Sequence, residues 1–274
     1  MEQRKLFCRL SFVGTAYCGY QVQKVGMTVQ QKLNEAAQAV FGTPCDIIGC
    51  SRTDSGVHAN MFCITVSHKG MNYLNTSIPL ERIPLALNAH LPRDIAVTEA
   101  AWVSDVFHPR YDVVYKEYRY LIWNRPVRNP FREGLTYAYP HILNEDALAR
   151  MNLVCNAYRG EHDFAAFMAQ GSKVISTVRC VYDAFVKKED DLVTFTVSAN
   201  GFWYNMVRIM AGTLLATAEG KISPEDIPHI LESRNRALAG STLPACGLYL
   251  NRVVYDPEPG MPVSAYHTEG IRRE

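Results

Sequence analysis

The chain lacks a long apolar run, a paired-cysteine motif, a low-complexity stretch and any sizeable net charge. Each shortage removes a class of protein. A membrane-spanning helix needs about 20 consecutive apolar residues, and the longest apolar runs fall far short of that. Eight cysteines are present, at positions 8, 18, 45, 50, 63, 155, 180 and 246, and none forms a Cys-x-x-Cys pair. A zinc site and a disulfide framework are therefore not expected. Several of these cysteines sit in apolar, strand-like runs, where a reduced thiol behaves as a small hydrophobe. Met1-Glu2-Gln3-Arg4-Lys5 runs straight into a strand-like segment with no secretory signal pattern, so the cytoplasm is the expected compartment. Net charge is only +1, less than a nucleic-acid-binding protein often carries. Net charge is the wrong quantity if basic residues share one surface. Arg110, Lys116, Arg119, Arg125, Arg128 and Arg132 crowd one segment, against only Asp112 and Glu117. A solvated charged face accounts for that run equally well.

What is present is an ordinary globular balance: 274 residues, 48% hydrophobic and 20% charged, enough for a substantial core. Lys5 to Phe12 alternates as a strand does. Thr28 to Phe41 reads as a helix, with Thr28 and Gln31 as a capping box, Val29, Leu33, Ala36, Ala37 and Val40 as its apolar stripe, and Gly42 and Pro44 beyond it. Asp46 to Cys50, Met61 to His68 and Asp94 to Trp102 read as strands, and Leu80 to Asn88 as a helix entered near Pro79. The second half uses the same alphabet. Tyr115 to Trp123 is strand-like, and Asn144 to Tyr158 is a helix with Asn144 as N-cap and Gly160 at its end. Val174 to Val186 and Leu192 to Ala199 form a strand pair joined by the charged turn 187–191. Met206 to Ala218 is helical, and Ser223-Pro224 opens a last helix. Strands and helices mix without βαβα alternation, which predicts an α+β fold with mixed or antiparallel sheets. Two halves of similar content predict two domains, 1–103 and 104–274, joined near Val103 to Arg110.

The most informative stretch is Gly49-Cys50-Ser51-Arg52-Thr53-Asp54-Ser55-Gly56-Val57-His58-Ala59, between two strands. Small residues flank Asp54, so the backbone can turn tightly and present the carboxylate. Arg52 can lie beside it, and a neighbouring guanidinium favours the ionised form that nucleophilic catalysis requires. On spacing alone the plainer reading, a turn with a salt bridge, is favoured.

The string Ser-Arg-Thr-Asp-Ser-Gly-Val-His-Ala resembles the Gly-Arg-Thr-Asp-Ala-Gly-Val-His-Ala signature of the tRNA pseudouridine synthase I (TruA) family. Six further segments resemble that family in order along the chain: 14–23, 87–95, 107–111 with 116–120, 160–164, 206–208 and 244–249. The resemblance implies the pseudouridine synthase fold, two similar α/β-sandwich-like halves around a central cleft. It implies an isomerase that converts uridine to pseudouridine at positions 38–40 of the tRNA anticodon stem-loop. No cofactor is expected, because the reaction needs no redox step and no phosphate energy. The implied partners are tRNA and a second copy of the chain, as a homodimer, with no membrane.

Carried over position by position, the resemblance implies Asp54 as the catalytic carboxylate. Arg52 would pair with it and fill the place of the flipped base, and Arg208 would be a second basic partner. Tyr118 would pack on the uracil and Leu248 would line the pocket. Phe107, His108, Arg110 and Tyr111 would contact RNA. An aromatic wall is worth ~1–3 kcal/mol per stacked base. Without the family, Tyr118 reads as core, since Tyr118, Tyr120 and Ile122 share a strand face. Arg208, off the apolar stripe of its helix, would then only cap a neighbour. His58, His108 and His162 lack partners at nucleophile or metal spacing and are expected to be structural. Departures from the family pattern fall at Val13, Tyr20, Ser51, Ser55 and Asn205, the last where the family commonly has His. Two rivals remain: an RNA-binding module without catalysis on the same scaffold, and a hydrolase that would cleave the glycosidic bond. The hydrolase ordinarily needs a second carboxylate, and none accompanies the loop.

Overall fold

In the computed structural model, residues 4–169 and 176–259 are described; the expected domain ends at 1–3 and 260–274, and the first residues of the strand expected from Val174, lie outside them. Ten strands form one sheet. They are β1 (Arg4–Phe12), β2 (Cys45–Gly49), β3 (His58–His68), β4 (Ile95–Ser104), β5 (Val113–Trp123), β6 (Tyr137–Ala138), β7 (Gly160–Asp163), β8 (Val178–Glu189), β9 (Leu192–Ala199) and β10 (Leu248–Tyr255). The order is β4-β1-β3-β10-β5-β9-β8-β7, with β2 on β3 and β6 on β5. Pairing is antiparallel except for β10 on β3 and β6 on β5. The helices are α1 (Val29–Phe41), α2 (Ile83–Asn88), α3 (Glu145–Tyr158), α4 (Met206–Ala218) and α5 (Ile227–Ser233). The fold is α+β with a mixed, mostly antiparallel sheet, as the composition of elements predicted.

The local signals explain most of these elements. Thr28 accepts the Gln31 N–H at 3.3 Å and so caps α1, and Gly42 ends the helix at φ 72°. The capping box is only half made, because the Gln31 side chain turns outward to Glu35 at 3.1 Å. Asn144 caps α3 by accepting from Ala147 at 2.9 Å. Two expected helices begin as a 3-10 turn, Leu80–Arg82 before α2 and Pro224–Asp226 before α5. Each α-helix then carries a proline, Pro84 or Pro228, in its first turn, where no amide hydrogen is missed. Gly160 belongs to the start of β7 rather than to the helix end. The charged segment 187–189 continues β8, so the hairpin turns only at Asp190, whose φ is 53°.

Sequence patterning missed the short β6 and β7 and, with most consequence, β10. It lies between β3 and β5 and ties the two halves into one sheet. Its register shifts between Leu250 and Arg252. Leu248 and Leu250 are buried before the shift, Val253 and Tyr255 after it. That change of phase hides a period-two pattern. β3 likewise begins at His58, three residues before the expected start, because β10 pairs there, with Tyr249 opposite His58 and Leu250 opposite Ala59.

His58 helps to join the halves. Its ring is fully buried and stacks on Tyr249 with centroids 4.5 Å apart. Nδ1 accepts the Gly14 N–H at 3.0 Å, which leaves Nε2 to donate to the Cys246 carbonyl at 3.1 Å. The structural role expected for this histidine is what the contacts show. Tyr20 is also core, stacked on Phe62 at 4.4 Å. The described cysteines are all free thiols; Cys8, Cys50, Cys63 and Cys155 are buried, and Cys18 is exposed.

Candidate active site

The Asp54 loop runs from Ser51 to Gly56, between β2 and β3. The segment 14–20 cradles it through the backbone: the Tyr20 N–H donates to the Thr53 carbonyl at 3.1 Å, and the Gly56 N–H to the Tyr17 carbonyl at 3.3 Å. Ser55 Oγ also donates to the Tyr17 carbonyl, at 3.2 Å. The approach is close enough that glycine is required on the cradle. A Cβ on Gly19, whose φ is 86°, would stand 2.6 Å from the Thr53 oxygen. The Gly-x-x-Tyr-x-Gly spacing of 14–19 thus belongs to the same unit as the Asp loop, although the two are far apart in sequence.

Asp54 opens onto a cavity of about 620 Å³. Its walls include Arg52, Asp54, Arg110, Lys116, Tyr118, Phe202, Trp203, Asn205 and Leu248. The two halves of the sheet both contribute: the acid comes from the loop before β3, Tyr118 from β5, Leu248 from the start of β10, and Asn205 from the start of α4. Among the described residues, Asp54 is the one carboxylate on the wall.

Sequence reasoning expected Arg52 beside Asp54. Instead the Arg52 side chain is exposed and, among the described residues, forms no ion pair. The cation beside Asp54 is Arg208, whose Nη1 lies 3.7 Å from Asp54 Oδ2. Arg52 turns to solvent, whereas Arg208, in the first turn of α4, comes within reach of the acid. The Arg208 guanidinium is held by Nε donating to the Leu243 carbonyl and Nη1 donating to Asn205 Oδ1, each at 2.7 Å. It does not cap a neighbouring helix. Partial burial lifts the Asp54 carboxyl above its ordinary 3.8, and Arg208 opposes that rise.

Tyr118 is buried, its ring edge-on to Phe202 with centroids 5.0 Å apart, and its hydroxyl is 3.3 Å from Ser51 Oγ. Burial raises the phenol above its usual value, so it stays protonated. The serine at position 51 thus touches the aromatic wall. Arg110 lines the cavity, and its Nε is buried without a hydrogen-bond partner among the described residues.

The rest of the 107–111 strip divides. Phe107 is half-buried against Phe7 and Tyr255, with centroids 5.8 and 5.3 Å away. Tyr111 is exposed and stacks on His108 at 4.2 Å. His108 Nδ1 accepts the amides of Arg110 and Tyr111 at 3.2 and 3.3 Å. It therefore shapes the turn that carries Arg110.

Two features of the wall went unassigned from sequence. Lys116 Nζ donates to the Cys50 carbonyl at 2.8 Å, immediately before the Asp loop, and burial lowers its pKa. The triplet Phe202-Trp203-Tyr204 lines the cavity just ahead of α4, and the Arg179 guanidinium lies 3.5 Å over the Trp203 ring. Three consecutive aromatics before a helix were the available signal. No group of three or more His, Cys, Asp or Glu side chains that could hold a metal occurs among the described residues.

A carboxylate, a cation held beside it and an aromatic wall in a cavity of this size suit a planar, polar ligand. Comparisons with known proteins make that class specific. A protein named tRNA pseudouridine synthase A from a Thermoanaerobacter species is 41% identical over 253 residues, covering 92% of this chain and all of its own length. One of the same name from Clostridium acetobutylicum is 42% identical over 246 residues, 90% of this chain and 97% of its own. A tRNA pseudouridine synthase A 2 from Clostridium perfringens is 37% identical over 252 residues, 92% of this chain and all of its own. The family model described as tRNA pseudouridine synthase matches residues 10–112 and 154–256, one match in each half. The chain belongs to the tRNA pseudouridine synthase family, a family of isomerases.

Proposed function

We propose that the chain converts uridine to pseudouridine at positions 38–40 of the tRNA anticodon stem-loop, with Asp54 as the nucleophile. The observation that carries this reading is that Asp54 and Tyr118 line one cavity while Arg208 pairs with Asp54 at 3.7 Å, although the three lie far apart in sequence. The specific uridines rest on the family resemblance of the motifs. The reaction breaks the bond from the sugar C1′ to N1 of uracil, turns the base, and joins C1′ to C5. Asp54 would hold C1′ while the base turns. When the sugar rejoins at C5, the freed carboxylate, the one anionic base on the cavity wall among the described residues, would take the C5 proton, and N1, left anionic by the cleavage, gains one in exchange from the acid or from water, so no net proton is consumed.

The arrangement also argues against hydrolysis. Cleavage of a glycosidic bond by a pair of carboxylates needs a second acid, and Asp54 stands alone on the wall among the described residues. Tyr118 and the apolar wall would keep the detached uracil from leaving. Extruding a nucleotide costs a few kcal/mol. Arg52, exposed and without an ion pair among the described residues, would stack in the vacated place and touch phosphate. Arg110 and Lys116 carry positive charge inside the cavity that the net charge of +1 conceals. We place the enzyme in the cytoplasm as a homodimer whose second copy extends the basic surface offered to tRNA; Phe107 to Tyr111 form part of that RNA contact.

The test is incubation with unmodified tRNA transcripts, followed by mapping of modified positions. Pseudouridine at 38, 39 or 40 supports the reading. Tight binding without modification, or release of free uracil, overturns it.

A further inference from the structure

Asn205 occupies an unusual place. It is the N-cap of α4, yet its backbone is left-handed, with φ 60° and ψ 6°, and its side chain caps no amide. An N-cap asparagine ordinarily accepts an N–H of the first turn. Here the side-chain oxygen is spent on Arg208, one turn along, at 2.7 Å. The same Nη1 that Asn205 holds faces Asp54 at 3.7 Å. That separation is an ion pair without a hydrogen bond. Among the described residues, the Asp54 carboxylate accepts no hydrogen bond at all. Leu243 fixes the other side of the guanidinium through Nε.

We propose that Asn205 is a positioning residue that holds the Arg208 guanidinium back from Asp54, so that the carboxylate is charged but keeps its lone pairs free for the sugar. The inference rests on the reading of Asp54 as the nucleophile and deepens it. A guanidinium in direct hydrogen-bonded contact would stabilise the carboxylate and blunt its attack. One too distant would no longer oppose the upward pull of burial on the carboxyl. A neutral acceptor on the far side of Nη1 sets the intermediate position. The left-handed backbone, which asparagine tolerates better than most residues, aims its side chain along the helix at Arg208 instead of at the helix amides.

The surroundings make the effect readable. Around Asp54 stand Arg208 from α4, Tyr118 from β5, Arg52 on its own loop, and Arg110 and Lys116 on the shared cavity wall. Around Arg208 stand Tyr120 from β5 and Cys246 before β10, both pushed upward by burial and therefore uncharged at neutral pH. Asp54 is thus the group among these that titrates in the acidic range.

The experiment uses the full chain with Asn205→Gly and Asn205→Asp. Glycine accepts φ 60° without strain and removes the acceptor; aspartate keeps the shape and adds charge. Asp54 is titrated directly by its carboxyl carbon-13 resonance, assigned by its loss in Asp54→Asn, and the pH profile of kcat is measured alongside. With Asn205→Gly, Arg208 closes on Asp54, and the titration and the acidic limb of the profile move down by about half a unit or more. With Asn205→Asp, the new carboxylate draws Arg208 away, and both move up by a similar amount. A titration that stays put in both variants, or moves the same way in both, overturns the proposal, whatever the change in Tm. Retained activity in Asp54→Asn would instead overturn the nucleophile reading. An inactive Asp54→Asn with unmoved Asn205 variants removes this inference alone.

Discussion

The two sides of the cavity hold their charged groups in opposite ways. On the N-terminal side, backbone hydrogen bonds from the 14–20 cradle fix the loop, while the Asp54 carboxylate is left without a hydrogen bond among the described residues and Arg52 reaches into solvent. On the C-terminal side the side chains are tied down: Arg208 is gripped at Nε and Nη1, and Lys116 is anchored to the Cys50 carbonyl. The difference teaches a division of labour. On the proposed reading of Asp54 as nucleophile, the group that would change bonding is positioned through its main chain and kept free. The groups that would only supply field are immobilised in advance, the condition under which electrostatic stabilisation costs least reorganisation.

The largest effect should come from the free group. Asp54→Asn is expected to lower pseudouridine formation by roughly 10⁴-fold, the scale of losing a nucleophile, while tRNA affinity measured by filter binding changes by only a few-fold. Retained turnover would erase the contrast between the two sides. Next, Arg208→Gln should cost about 10²- to 10³-fold in kcat. The sign of its pH effect follows from the ion pair. Arg208 lowers the pKa that burial raises, so removing it moves the acidic limb of the profile upward. Arg52→Ala, by contrast, should leave that limb where it is and weaken tRNA binding instead. Equal pH shifts in the two arginine variants would show that both cations pair with Asp54.

Tyr118 sharpens the comparison from the apolar side. Tyr118→Phe keeps the ring and gives up only the 3.3 Å approach to Ser51, so kcat/KM should change by only a few-fold. Tyr118→Ala should lose roughly ten- to a hundred-fold, matching a stack worth ~1–3 kcal/mol, with a lower Tm from the emptied core position. For Lys116→Ala and Arg110→Ala, tRNA affinity should fall, and the slope of log K against log salt should shrink by about one for each phosphate no longer neutralised.

The smallest effect concerns the seam rather than the chemistry. Burial holds the His58 pKa below its ordinary 6.5. Protons therefore bind the unfolded chain more readily than the folded one. The His58 contribution is full above about pH 6.5 and is lost progressively as pH falls through the window beneath it. Thermal denaturation between pH 5 and 8 should show a drop in Tm on the acid side that is shallower in His58→Gln, although that variant starts from a lower Tm.

Local rules carried much of the fold. Alternation marked β1, β-favouring aromatic composition marked β5, the charged turn between two strand-like runs marked β8 and β9, and caps at Thr28, Asn144 and Gly42 set helix ends, because these signals depend on near neighbours in the chain. Motif resemblance singled out Asp54, Tyr118, Arg208 and Leu248 as expected site residues; Asp54, Tyr118 and Leu248 line one cavity, and Arg208 pairs with Asp54. What local rules missed depends on distant pairing. The phase of β10 is broken at a register shift, and the early start of β3 depends on β10 as its neighbour.

The sequence by itself determined the mixture of strands and helices, the family, and the presentation of Asp54 on a small-residue turn. Those follow from periodicity, capping and motif, which are properties of contiguous residues. Only the tertiary structure decided which cation stands beside the acid. Proximity along the chain favoured Arg52, but a turn sends that side chain to solvent, while the sheet closed by β10 and the approach of α4 bring Arg208 to 3.7 Å. Electrostatic partnership depends on distance in space and on what else holds each charge, and neither is written in the spacing of a single loop.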